Sequence, residues 1–357
     1  MIDREKLTID WINKISKENR NADKILVEKV IRALLLLEGL VKQKLSFVFK
    51  GGTALMLHLN SSKRLSIDID VIIPVKPENL DKILDNVASE QGFLRKEMQQ
   101  RKVNTKIDKV HYKFYYTPLH KTAKDEEYVL FDILFEEVQY KNTLQLKIQS
   151  SFLPEKEAPL TVESPCLEDI TGDKLTAFAP NTTGIPYYKG GESMSMEIIK
   201  QLYDIGNLVD NVSEIETIKT TFKKFAKTEL EYREMNNLSE KDVLEDIYQT
   251  SLCIVTRGAD GKGDFDQLQQ GIQRVSRFIF SESYHIEKAI THASKAAYIA
   301  TLIKHDAKTI EKYGDPLQMR DWVIAEPMNT KLNRLKKSNP EAFFYWYKIY
   351  ELETKKD

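Results

Sequence analysis

Apolar residues recur at helical spacing through Ile25, Val27, Val30, Ile31, Leu34, Leu35, Leu37 and Leu40, which predicts a long helix within the first 45 residues. The period then shortens. Phe47-Val48-Phe49 reads as a strand, broken by Gly51-Gly52, and a helix is predicted over 53–59 with Thr53 at its N-cap. Residues 66–73 read as a strand ended by Pro74, and 77–91 as a helix closed by Gly92. Strands are predicted at 93–98, 110–117, 128–138 and 144–152. After about residue 165 the two-residue alternation stops. Helices are then predicted at about 166–179, 195–210, 213–235, 239–256, 264–280, 285–305 and 329–355. Ser213 to Glu216 matches a capping box, and Ser239 to Asp242 matches it more loosely. The pattern predicts an α+β chain: a mixed α/β domain over residues 1–160, then an all-α domain over 161–357. Pro154, Pro159 and Pro165 mark the boundary.

Composition narrows the function classes. Charged residues make up 30% and hydrophobic residues 41% of the 357, as in an ordinary globular protein. The net charge of -1 leaves no global positive field, so any nucleic-acid contact must use a local patch. Cys166 and Cys253 fit no metal-binding spacing and read as reduced thiols. The N-terminal stretch has no apolar signal core, and no apolar run is long enough to span a bilayer, so a cytoplasmic protein without a membrane partner is expected. The six histidines show neither HxxxH nor HExxH spacing. The segment 182–192 is rich in glycine and polar groups and reads as a mobile loop. The segment 257–264 lacks both P-loop and EF-hand spacing and reads as a surface loop. The basic run 331–337 precedes the aromatic run 343–347. It could track a nucleic-acid strand, but it reads better as the solvated face of a last helix whose aromatics pack inward.

One constellation carries chemistry. Asp68 and Asp70 alternate with Ile67, Ile69 and Val71, which puts both carboxylates on one face of one strand. Like charges so placed repel unless something positive lies between them. A divalent metal meets that need, and a glycine turn followed by a helix N-terminus suits a phosphate. Asp132 sits inside the strongly apolar run Val129-Leu130-Phe131-Asp132-Ile133-Leu134-Phe135, where an uncompensated acid is costly to bury. Two metals held by carboxylates are what nucleotidyl and phosphoryl transfer require.

The stretch Lys50-Gly51-Gly52-Thr53, followed by Arg64-x-Ser66-x-Asp68-x-Asp70, resembles the opening motif of the AbiEii/MenT nucleotidyltransferase toxins of the DNA polymerase beta nucleotidyltransferase superfamily. Asp169 to Phe178 resembles that family's E-K-L-x-A-L helix, and Ile199 to Ile205 its R-D-x-Y-D-L helix. Tyr203 and Asp204 match, whereas Lys200 and Gln201 depart from the usual Arg-Asp. The resemblance spans about residues 45–210. It implies an NTP-dependent nucleotidyltransferase using Mg2+ or Mn2+. Asp68, Asp70 and Asp132 would be the metal ligands. Gly51, Gly52, Thr53, Arg64 and Ser66 would lie at the nucleotide with Lys174 on its phosphates, and Lys174 and Asp204 would join the three aspartates as catalytic residues. It further implies an RNA acceptor, especially a tRNA 3′ end, a toxin role in abortive infection, and a separate antitoxin protein. Transfer to a protein hydroxyl, a non-catalytic nucleotide-binding protein and a metal-dependent nuclease are the alternatives.

Overall fold

The structure is a computed structural model that describes residues 1–59, 63–99, 108–121 and 124–354. It divides into two compact units. One holds Met1–Cys166 with Arg277–Ser283, the other Leu167–Ser276 with Tyr284–Asp357.

The first unit is built around a sheet. Helices α1 (Ile9–Glu18) and α2 (Lys24–Lys42) lead into β1 (Val48–Lys50), α3 (Gly51–His58), β2 (Ile69–Ile72) and α4 (Leu80–Gln91). Strands β3 (Arg95–Gln99), β4 (Asp108–Tyr116) and β5 (Glu127–Phe135) follow, then β6 (Thr143–Lys147) and β7 (Thr161–Pro165). The five-stranded sheet runs β1-β2-β5-β4-β3, with β2 and β5 parallel and the other neighbours antiparallel. Strands β6 and β7 pair separately. Strand β7 falls where the prolines read as a linker; Pro165 closes it at the ladder's end, where its missing N–H costs little.

Helix α2 is buried on nearly every side, as an apolar-all-round helix must be. Its two buried acids are compensated, as burial of charge demands. Glu28 pairs with Arg32 at 3.2 Å and accepts from the Leu119 amide. Glu38 pairs with Lys42 at 2.5 Å and accepts from the Ile2 amide. Gly92 ends α4 in the left-handed conformation, as its position predicts.

The second unit is helical: α5 (Leu167–Ala177), a hairpin of β8 (Tyr188–Lys189) and β9 (Glu192–Ser193), then α6 (Ser195–Val209), α7 (Ile215–Tyr232), α8 (Glu240–Val255), α9 (Phe265–Val275), α10 (Ile286–Lys304), α11 (Leu335–Ser338) and α12 (Pro340–Thr354). No helix among the described residues is long and apolar enough to cross a membrane. The α+β class read from the pattern is the class observed.

Local differences have identifiable causes. The expected loop 182–192 contains a hairpin, because Gly190 and Gly191 both take positive φ and make the turn whose twist matches paired strands. The capping box forms at Ser239 with Asp242, whereas α7 starts on Glu214 without a side-chain cap, so Ser213 does not serve as one. The helix expected over 329–355 is three pieces: a 3-10 turn at Thr330–Arg334, α11 and α12. Pro340 forces Asn339 out of the helical region (φ -153°) and then serves as the first residue of α12. The final expected residue, 355, lies outside the described residues.

Candidate active site

The sheet carries a polar row at one level. Lys50 on β1 is the register partner of Asp70 on β2, Asp70 of Asp132 on β5, Asp132 of His111 on β4, and His111 of Gln99 on β3. Register partners share a face of the sheet. The next residues along each strand, Ile69 and Val71 on β2 and Phe131 and Ile133 on β5, are buried in the core. The alternation thus splits the sheet into an apolar face and a face that brings two carboxylates together on adjacent strands. His111 Nδ1 donates to Asp132 Oδ1 across 2.7 Å.

The glycine turn is built against this row. Gly51 takes φ +83°, which lets β1 pass into α3 without a loop. A Cβ there would lie 2.2 Å from Asp70 Oδ2, and one on Gly52 would lie 2.7 Å from Arg64 Nη2 and Ser66 Oγ. Only glycine lets the backbone approach those side chains so closely. Thr53 is not the N-cap: the helix begins two residues earlier, at Gly51, with Lys50 as its N-cap, and the Thr53 hydroxyl donates to the Asp68 carbonyl at 2.6 Å. Asp68 lies just before β2 rather than inside it. The N-cap residue Lys50 makes no side-chain cap hydrogen bond, and a helix N-terminus is the kind of element that suits an anion.

Residues 277–283 brace the same segment. Arg64 bridges to Ile279, the Leu65 amide donates to the Phe278 carbonyl at 2.8 Å, and Ser281 Oγ donates to the Lys63 carbonyl at 2.9 Å.

The donors suit Mg2+ or Mn2+ in kind, being hard carboxylate oxygens. Asp70 and Asp132 are also neighbours in backbone position. Among the described residues, however, no three acid, histidine or cysteine side chains are gathered closely enough to enclose a metal, and Asp132 is engaged with His111.

In the second unit, Lys174 on α5 reaches α6. Its Nζ lies 2.9 Å from Asp204 Oδ2 and donates to Gln201 Oε1 at 2.8 Å. Asp204 is nearly fully buried, at 4% side-chain exposure. Gln201, where the family motif has an acid, thus keeps a contact with the lysine while adding no charge. Lys200 pairs instead with Glu197 at 2.9 Å. In the same unit, Asp246 on α8 accepts from the Asn181 amide, the Asn181 side chain and Thr182 Oγ1 at 2.7–2.9 Å, and so pins the start of the 182–192 segment. Burial raises the Asp246 carboxyl above its ordinary value, against those hydrogen bonds.

At the far end of α3, His58 Nε2 lies 2.9 Å from the fully buried Ser164 Oγ on β7. Burial pushes the imidazole down to about 4 from 6.5, and a hydrogen bond to the Pro165 backbone only partly offsets it. Above 6.5 both folded and unfolded chains are neutral here. Between 6.5 and about 4 only the unfolded chain takes the proton, so stability falls with pH across that window. The loss is expected to reach about 3 kcal/mol at most. Urea unfolding followed across the window would show it, and His58→Gln should flatten that slope; an unchanged slope would show that His58 is not its source.

The row of Lys50, Asp70, Asp132 and His111 is what sequence reading finds only in part. His111 has no local signal, since its partner is set by the β4–β5 register. The clamp by 277–283 is equally invisible, because the residues it joins, such as Lys63 and Ser281, are 218 positions apart in the chain.

The model of the AbiEii family, described as nucleotidyl transferase AbiEii toxin of a type IV toxin–antitoxin system, matches residues 35–279. Among solved structures, the chain is similar to MenT4, a nucleotidyltransferase toxin from Mycobacterium tuberculosis H37Rv, at 11% identity and TM-score 0.46, covering 96% of this chain and 98% of that one. It is also similar to JHP933 from Helicobacter pylori, at 15% identity and TM-score 0.42, covering 78% of this chain and 91% of that one. No curated protein matches the chain.

Proposed function

This chain belongs to the AbiEii nucleotidyltransferase toxin family, and from that premise we propose that it moves a nucleoside monophosphate from an NTP to an RNA acceptor, first of all a tRNA 3′ end. The observation that supports this reading most is the pairing of Asp70 with Asp132 beside the Gly51 turn. Two carboxylates side by side, next to uncapped helix amides, suit a polyphosphate carried with its cation.

In this reading Asp68, Asp70 and Asp132 would hold Mg2+ or Mn2+, which neutralises phosphate charge when bound. The amides of Gly51, Gly52 and Thr53 would cradle phosphate oxygens, with Arg64 and Ser66 held against Gly52 at the edge of that cradle. Asp132 would take the proton of the attacking hydroxyl, while His111 keeps its carboxylate oriented. The hydroxyl oxygen bonds to the α-phosphorus and pyrophosphate leaves. Lys174 is assigned to the nucleotide phosphates on the family motif, and a compact cation is suited to that role. Asp204 would hold that lysine. We further propose that residues 161–357 form the domain completing the nucleotide site, that the protein works in the cytoplasm, and that a separate antitoxin protein restrains it.

The test is a transfer assay with Mg2+, each α-labelled NTP in turn and total bacterial RNA. Label in a tRNA-sized band is the expected result. Label in a protein band instead would move the acceptor to a protein hydroxyl. Shortened RNA would indicate a nuclease. Tight NTP binding without pyrophosphate release would leave a non-catalytic binding protein.

A further inference from the structure

Two segments that play no part in the transfer site meet in the second unit. Residues of the turn 257–264, of the basic run 331–337 and of the start of α10 together line a cavity of about 480 Å3. That volume is within the ordinary range for a small-molecule site. The cavity shares no residue with the transfer site, and a ligand there would bind whether or not transfer occurs.

The charges on the walls are unequal in their engagement. Glu287 is bound by Arg257, and Asp260 accepts from Asn329 at 2.8 Å. Lys331 and Arg334 have no acidic partner among the described residues, and both line the cavity. They are three residues apart on a 3-10 helix, where positions i and i+3 eclipse and point the same way. The same spacing sends Leu332 and Leu335 into the core side of the wall, where they are 3% and 8% exposed. With Ile290 of α10 they give the cavity an apolar back.

Two neighbouring cations without an acidic partner among the described residues, one of them a planar guanidinium fork, match a doubly charged tetrahedral oxyanion. An apolar back of this size suits a flat body attached to it. A nucleic-acid strand fits less well. Of the aromatic run that would have to stack bases, Phe343 to Trp346 are at most 2% exposed and the half-buried Tyr347 is already stacked on Trp322 at 4.3 Å.

We infer that this cavity is a second ligand site, for a phosphomonoester on an apolar body of nucleoside monophosphate size. The phosphate lies on Lys331 and Arg334, and the body lies against Ile290, Leu332 and Leu335.

The experiment is photolabelling of the full chain with 8-azido-AMP, followed by peptide mapping. Saturable label is expected in peptides from 255–262 and 329–338. The double variant Lys331→Ala/Arg334→Ala should raise the concentration for half-saturation about tenfold or more, with transfer activity unchanged. A second variant, Ala259→Trp, fills the cavity from an exposed turn and should block labelling without touching either cation. The inference is overturned by label confined to peptides of the first unit, by label that persists in both variants, or by no saturable label at millimolar probe.

Discussion

Asp70→Asn is expected to lower nucleotidyl transfer by about three orders of magnitude, the equivalent of several kcal/mol of lost charge stabilisation. The substitution keeps shape and removes one negative charge. Asp70 sits between Lys50 and Asp132 in the sheet register, with its carboxylate packed over Gly51. Its backbone neighbours Ile69 and Val71 carry the core packing, so the asparagine should fold normally. The melting temperature should therefore stay within a few degrees of the parent. That split separates two kinds of residue. A merely structural carboxylate would lose stability along with activity. Steady-state transfer and thermal melting on one preparation decide between them, and retained transfer would remove Asp70 from the reaction altogether.

The pairing of Asp70 with Asp132 is legible because local rules suffice for each half. Alternation with isoleucines puts Asp70 on one face, and an acid inside 129–135 must find a polar surface. What joins the halves is β2 lying parallel to β5 with β4 outside, and that order comes from long-range pairing. His111 is invisible for this reason: read alone it is one polar residue on an alternating strand, and only the β4–β5 register sets it against Asp132. The Gly51 turn is readable as a turn, but not the reason for its glycine, which is a carboxylate where a Cβ would sit. The break before α12 follows from a rule that the apolar periodicity masked, the exclusion of helical geometry before Pro340. The family motif likewise points to Lys174 and Asp204, while the contact made by Gln201 emerges only from the packing of α5 on α6.

Lys174→Met is expected to abolish transfer and also to destabilise the second unit, and the two effects can be separated. Lys174 and Asp204 are 11% and 4% exposed, so the pair is largely out of water. Breaking such a pair from one side strands a buried charge, at about 3 kcal/mol or on the order of 10 °C in melting temperature. Replacing both partners with apolar groups of similar size leaves nothing stranded and is often close to neutral. The double variant Lys174→Met/Asp204→Leu should therefore regain most of the lost melting temperature while transfer stays absent. That outcome would assign the lysine's charge to the nucleotide rather than to the fold. Transfer that returns together with stability would show that Lys174 acts only as the partner of Asp204, and the phosphate role would pass to the α3 amides and Arg64.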